Sequence, residues 1–252
     1  MNVQGSAAAI AAAFVVASSA CGQSVQLTSN RDNTLYQNFD VALSNGSGTG
    51  MFAGVPNNGS IYRALMSFDL SSIPAGSTIT GVTLRLNMSR TSHPASTPFS
   101  LYRVLASWGE GASNATFGGG GLGTEAADGD ATWFYRFYNL ANPGASVPWT
   151  TPGGDFAALA SATTNVGGVG FYSWSGAGMI ADVQAWLDNP SSNFGWVLRG
   201  GESENGTSRR FDTRENGIAN NRPRLTVTYV IPAPGAGALL GLGALALARR
   251  RR

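Results

Sequence analysis

Apolar and polar residues alternate along several short stretches of this chain, with the two-residue period of half-buried β-strands. Ala64, Met66, Phe68 and Leu70 alternate with Leu65, Ser67 and Asp69. Val82, Leu84, Leu86 and Met88 alternate with Thr83, Arg85, Asn87 and Ser89, the cleanest amphipathic strand in the sequence. Between the two, Ile73-Pro74-Ala75-Gly76 reads as a turn, because proline fixes φ and glycine tolerates a positive one. Further strands are predicted over residues 99–106, 131–138, 169–174, 195–199, 208–214 and 224–230. Asn-Gly pairs at 45–46, 58–59, 205–206 and 216–217 mark loop tips. Only residues 179–187 carry helical spacing, with Ile180, Val183, Ala185, Trp186 and Leu187 on a short apolar face closed by Asn189-Pro190. Many short strands with one short helix predict an all-β fold, a β-sandwich or jelly roll. It forms one domain over residues 25–230, without an internal repeat.

Both ends read as addresses rather than as parts of that domain. An apolar run from Ala7 to Ala17 leads to Ser18-Ser19-Ala20, small residues that suit a signal-peptidase cut after Ala20. A secretory leader is therefore expected within residues 1–24. Cys21 is the single cysteine, so the fold uses no internal disulfide. At the other end, Pro232-Ala233-Pro234 precedes an uncharged apolar stretch and then Arg249, Arg250, Arg251 and Arg252. The stretch from Gly235 to Ala248 spans about 21 Å as a helix at ~1.5 Å per residue, short of a bilayer core of about 30 Å. The arginines would stay on the cytoplasmic side. This tail, residues 231–252, resembles a PEP-CTERM sorting segment, with Pro-Ala-Pro in place of Pro-Glu-Pro. The resemblance implies a C-terminal hydrophobic helix, transient membrane contact and an exosortase-type processing enzyme as partner.

Composition narrows what the domain meets. All sixteen basic residues are arginine, and the net charge of +2 includes the four at the tail. The domain itself is thus slightly acidic, which argues against nucleic acid as a partner. Low charge, abundant glycine and frequent Asn, Ser and Thr between strands suit an extracellular β protein with long loops.

A second resemblance covers most of the domain. Arg63-Ala-Leu-Met-Ser-Phe-Asp-Leu70 followed by Ile73-Pro74, then Leu84-Arg-Leu86 and Tyr102-Arg-Val-Leu-Ala-Ser-Trp108, are similar to the opening of a DNRLRE domain. Asp182-Val-Gln-Ala-Trp-Leu187, Asn193-Phe-Gly-Trp-Val-Leu198 and Arg222-Pro-Arg-Leu-Thr-Val-Thr-Tyr229 continue the order. Phe211-Asp-Thr-Arg-Glu215 stands where that family has a Ser-Arg-Glu element. The resemblance implies a jelly roll related to alginate-associated carbohydrate-binding modules, and contact with extracellular polysaccharide rather than catalysis.

The chemistry of the side chains supplies candidates for that contact. Sugars need flat aromatic faces ringed by polar groups. Trp108, Trp133, Trp149, Trp174 and Tyr138 lie in or beside Gly-, Asn- and Ser-rich segments. Trp149, between Pro148 and the run Thr150 to Asp155, is the best candidate for an exposed platform, and Tyr138 accompanies it. Trp186 and Trp196 read as core. Arg63, Arg85 and Arg103 are the candidate surface for an acidic glycan, since a guanidinium pairs bidentately with a uronate carboxylate. Internal pairing with Asp69, Asp182, Glu202 or Glu215 is the alternative. Asp128, Asp130 and Asp155, in glycine-rich loops, offer the hard oxygens of a structural calcium site. Nothing marks an enzyme: His93 is the single histidine, and no nucleophile motif or His/Cys cluster accompanies it. Glu202 and Glu204 are the nearest thing to a hydrolase carboxylate pair. The expectation is a secreted, envelope-sorted polysaccharide-binding protein. A structural surface-layer or matrix protein and a polysaccharide lyase or hydrolase stay open as alternatives.

Overall fold

The alternating stretches form strands that pair with one another far apart in the chain. The computed structural model describes residues 22–232. Residues 1–21 of the expected leader, with Cys21, and Pro234 and Arg249 to Arg252 of the tail lie outside the described residues. In chain order the elements begin with β1 (Gly22–Tyr36), β2 (Leu43–Ser44), β3 (Gly50–Ala53), β4 (Tyr62–Phe68), β5 (Thr78–Thr91) and β6 (Thr97–Arg103). The short β7 (Thr124–Glu125), β8 (Tyr135–Phe137) and β9 (Val147–Pro148) follow within a long excursion. Then come β10 (Ala162–Val166), β11 (Gly170–Ser175), the helix α1 (Ala177–Asp188), β12 (Trp196–Arg199), β13 (Arg209–Asp212) and β14 (Arg224–Val230).

Ten strands join antiparallel in the order β10-β6-β12-β4-β1-β14-β5-β13-β3, with β11 also paired to β5. β1 belongs to both halves of this arrangement. Its residues 22–28 pair with β14, and its residues 29–36 pair with β4, with a register shift between Ser29 and Arg31. Such a bulge bends and twists a strand, and here it turns β1 from one half to the other. The inner faces then share one core. Val82, Leu84, Leu86 and Met88 of β5 pack with Ala64, Met66 and Phe68 of β4, Trp196 and Leu198 of β12, and Val227 of β14. That is a β-sandwich, mostly strand with a single α-helix among the described residues.

α1 closes part of the core with Met179, Val183 and Trp186. Polar contacts hold it there. Asp182 Oδ2 accepts the indole N–H of Trp196 at 2.8 Å and the hydroxyl of Ser161. Gln184 accepts the Ile79 N–H at 2.8 Å and donates to Ser77 O at 3.2 Å, tying the helix to the start of β5. No helix among the described residues is long and apolar enough to cross a membrane.

β4 is buried along its whole length because both of its faces are covered. The excursion between β6 and β10 lies over the outer face, where Leu65 and Val197 meet Val104, Trp108, Trp133 and Trp149. Three indoles of about 150–250 Å² each, at roughly 25 cal/mol per Å², contribute on the order of 10 kcal/mol before entropy costs. This second core corrects one expected strand. Of residues 131–138 only Tyr135–Phe137 pairs, because Ala131 and Trp133 are loop residues packed inward and the Thr132 hydroxyl accepts the Tyr135 N–H at 3.1 Å. The domain also starts earlier than residue 25, since Gly22, Gln23 and Ser24 pair with Val230, Tyr229 and Thr228.

Candidate functional site

Where β1 changes halves, the sandwich opens into a cleft of about 420 Å³. One wall is the bulge itself, Asn30 and Arg31. The second is the end of β4 with the proline turn after it, from Ser67 to Ala75. The third is the last turn of α1, Trp186 and Leu187, with Pro190 and Asn193 beyond it. Local sequence explains why these segments come so close. Gly195 has a φ of +77°, and a Cβ there would stand 2.0 Å from the Met66 carbonyl. Only glycine lets the chain pass this near to β4.

Most polar groups at the cleft are already used. Ser67 donates to Asn30 Oδ1 at 2.8 Å, and Asn193 Nδ2 donates to Phe68 O at 2.8 Å. Arg31 donates to Trp108 O at 2.7 Å and to Ser67 Oγ at 3.3 Å, with its guanidinium 4.8 Å above the Trp108 ring. Burial draws the Arg31 pKa below its usual value, against the opposing pull of Glu110. Asp69, at the rim, accepts the Ser71 N–H at 2.9 Å. Two buried polar atoms remain without a partner, the Trp186 Nε1 donor and the Asn193 Oδ1 acceptor. Trp186 is 1 % exposed. The cleft therefore combines apolar walls (Leu70, Ile73, Pro74, Leu187) with the polar residues Asn30, Ser67 and Asp69, the makeup of a small-molecule site.

The residues singled out from sequence lie elsewhere. Trp149 is 4 % exposed, and its indole N–H donates to Thr132 O at 2.9 Å. It is a core residue, not a platform. Trp108, Trp133 and Trp174 are buried as well. Tyr138 is half-buried and its ring lies 5.9 Å from that of Tyr135. The three arginines do not form one surface. Arg63 is 9 % exposed, bidentate on Glu202 at 2.8 and 3.0 Å, and stacked 4.8 Å from Trp133. Arg103 reaches Asp182 of α1 at 3.5 Å. Arg85 lies on the other half, over Phe171 at 4.5 Å, and donates to Asn220 O at 2.8 Å. Internal pairing thus claims Arg63 and Arg103.

The carboxylates of the expected calcium site do not gather either. Asp128 accepts the Leu140 N–H at 3.3 Å and Asp130 accepts the Ala127 N–H at 2.7 Å. Asp155 accepts the N–H groups of Thr150 and Thr151, each at 2.9 Å. These are turn acceptors, and Asp130 is fully buried with its pKa raised by that burial. Among the described residues no group of three His, Cys, Asp or Glu is placed to hold a metal ion. Glu202 is likewise spent. Burial pushes its carboxyl up, but hydrogen bonds and charge from Arg199 and Arg63 outweigh this and hold it below the ordinary carboxylate range. Glu204 is exposed and separate.

One charged knot is built on Arg214 and Glu215, and its other members, Asp32 and Glu110, have no signal in the sequence pattern. Arg214 is bidentate on Glu110, with Nε to Oε1 at 2.8 Å and Nη2 to Oε2 at 2.6 Å, and its Nε lies 2.9 Å from Glu215. Behind it, fully buried Asp32 accepts the Arg214 N–H and the Ser29 hydroxyl, each at 3.0 Å. Burial and the negative charges of Glu215 and Glu110 push Asp32 up to about 8. The knot joins β1, the loop after β6 and the loop after β13. This gives the Thr213-Arg214-Glu215 element a structural role.

No protein-family model and no curated protein matches the chain. Function is therefore read from the molecule itself.

Proposed function

We propose that this chain is a secreted, envelope-sorted, non-catalytic jelly-roll domain of the DNRLRE type that binds or organises extracellular polysaccharide. The carrying observation is the cleft at the β1 crossing, where apolar walls stand beside the polar residues Asn30, Ser67 and Asp69. The ends of the domain support an envelope address. Gly22 pairs with Val230, so the leader junction and the PEP-CTERM-like tail depart from one pole. The domain is held by its tail through an exosortase-type enzyme or a transient membrane contact.

Affinity electrophoresis of the full chain through gels cast with alginate, other acidic polysaccharides or neutral glucans tests this. The same mixtures are assayed for new chain ends. Retardation without new ends is the expected result. New ends would make the protein a lyase or hydrolase. No retardation by any polymer would overturn the proposal in favour of a structural matrix protein.

A further inference from the structure

Away from the cleft, the strands β1, β14, β5 and β11 turn a second face outward. Leu225 and Val227 of β14, Leu84 and Leu86 of β5, and Trp174 of β11 point into the core, so the residues between them point out. The strand register sets one outward row as Thr28, Arg224, Arg85 and Ser173, one residue from each strand. Arg224 and Arg85 therefore stand directly opposite each other, with side chains that start about 5 Å apart. Like charges in such a pair destabilise a sheet unless something neutralises them. Among the described residues no carboxylate does so for either arginine. Residues 22–28, β14, β5 and β11 contain no Asp or Glu at all. Asp212 accepts from Asn87 beside the row at 2.7 Å, but it is 1 % exposed and already paired with Arg210. Resting on the polysaccharide-binding reading above, we infer that this face is a second binding surface, where Arg85 and Arg224 together hold the anionic group, carboxylate or sulfate, of an acidic polysaccharide.

The two arginines differ from the others in what they touch. Arg63 and Arg199 share Glu202, and Arg103 reaches Asp182. Arg85 is fixed in place by neutral groups only. Its guanidinium lies 4.5 Å from the Phe171 ring, and Nη2 donates to Asn220 O at 2.8 Å and Asn220 Oδ1 at 2.9 Å. Its charge is thus positioned without being neutralised. Arg224 makes no hydrogen bond among the described residues, and none of its nitrogens is shut off from solvent. Two neighbouring guanidiniums offer planar forks of donors to a single carboxylate or sulfate. A sugar hydroxyl would leave their repulsion in place, whereas an anion removes it, and that difference selects a charged sugar over a neutral one. Around the pair, Thr83 and Ser173 offer exposed hydroxyls, and Phe171, 47 % exposed, offers apolar surface to the C–H groups of a ring. An open sheet face has no end walls, so it admits the interior of a polymer chain.

The test is affinity electrophoresis of the full chain through gels cast with alginate, dextran sulfate or unsubstituted dextran, each mobility taken relative to a polymer-free gel. Arg224→Gln and the double variant Arg85→Gln/Arg224→Gln are compared with the native protein. Arg136→Gln is the control, because it removes the same charge from the excursion between β6 and β10, where Arg136 donates to Ser107 O at 3.1 Å. The expected result is retardation by an acidic polymer that weakens as salt is added. Arg224→Gln should lower the affinity about three- to fivefold, the effect of one partly exposed ion pair. The double variant should lose the retardation, and Arg136→Gln should keep it. Alginate against dextran sulfate tells whether the anion is carboxylate or sulfate. Relief of the cross-strand repulsion should leave the urea midpoint of Arg224→Gln equal to or above the native one, which separates lost binding from lost folding. Native-level retardation of the double variant, or an equal loss in Arg136→Gln, would overturn the inference while the polysaccharide reading stands. So would retardation by dextran alone. No retardation by any of the three polymers, or by the other glucans tested above, would remove the inference together with the reading beneath it.

Discussion

Asp32 makes the stability of this domain depend on pH in a direction opposite to that of a paired carboxylate. Its carboxyl is fully buried, accepts only the Ser29 hydroxyl and the Arg214 N–H, and faces the charges of Glu110 and Glu215, with Arg214 and more distant Arg31 as the cations of the knot. The folded chain therefore keeps a proton on Asp32 up to about pH 8, whereas the free carboxyl releases it near 3.8. Between those values the folded state binds one proton more than the unfolded state. The Asp32 contribution is thus fully present below the unfolded value and is lost as pH rises toward the folded one. A whole proton corresponds to a slope of about 1.4 kcal/mol per pH unit, or roughly 4 kcal/mol from pH 5 to 8. Glu215, also raised chiefly by burial, acts in the same direction. Urea unfolding of the full chain, followed by tryptophan fluorescence at several pH values, measures this. Asp32→Asn keeps the shape and both accepted hydrogen bonds but cannot ionise. It should flatten the slope and exceed the native protein in stability at pH 9. A native stability constant or rising from pH 5 to 8, or an equal slope in Asp32→Asn, would refute the reasoning.

Three further outcomes follow from the packing. Trp149→Ala removes an indole from the second core and should cost about 3–5 kcal/mol in urea unfolding. Below the unfolding transition it should leave gel retardation by polysaccharide unchanged, whereas an exposed platform would show the reverse. Glu202→Gln leaves Arg63 buried against a neutral amide and should cost about 3 kcal/mol at pH 7. Because Glu202 is held below the ordinary range, this difference should shrink as the native protein is acidified through the folded-state pKa. Gly195→Ala must fit a methyl 2.0 Å from the Met66 carbonyl at a φ of +77°, and should lower stability by about 3 kcal/mol or more, read as a shift in the urea midpoint.

The strands that matched expectation are those whose two faces differ in solvent contact. β5, with Val82, Leu84, Leu86 and Met88 inside and Arg85 and Asn87 outside, carries its environment in its pattern. β14 and α1 do the same within one or two residues. β1 escaped because residues 22–28 form a mostly exposed edge and are largely polar, while residues 32–36 are buried on both sides. Val25 and Leu27 do alternate with Gln26 and Thr28, but the run is too short to stand out among its polar neighbours, and residues 32–36 show no period. Asp32, Asn33 and Thr34 lie fully buried as polar residues because distant chain satisfies them. The Asn33 side chain, for instance, donates to Glu110 O and accepts the Asn45 N–H.

The candidate site divides in the same way. That Arg63 and Arg103 have acidic partners was legible as a possibility, since Glu202 and Asp182 were on hand. Which of them a glycan could reach was not. Solvent contact of a loop tryptophan is likewise a property of what folds over it. Trp149, flanked by Pro, Thr and Gly, has the local sequence of an exposed loop, and only the covered outer face of β4 makes it core. Trp186 shows the converse. Its helical spacing marks it as core, which it is, yet the residue also lines a cleft built by β1, by the turn after β4 and by Asn193. Period, turns and low charge are short-range properties, and the sequence alone determined an all-β domain with one helix. The cleft depends on segments more than a hundred residues apart meeting at one bulge, and only the tertiary structure decided that.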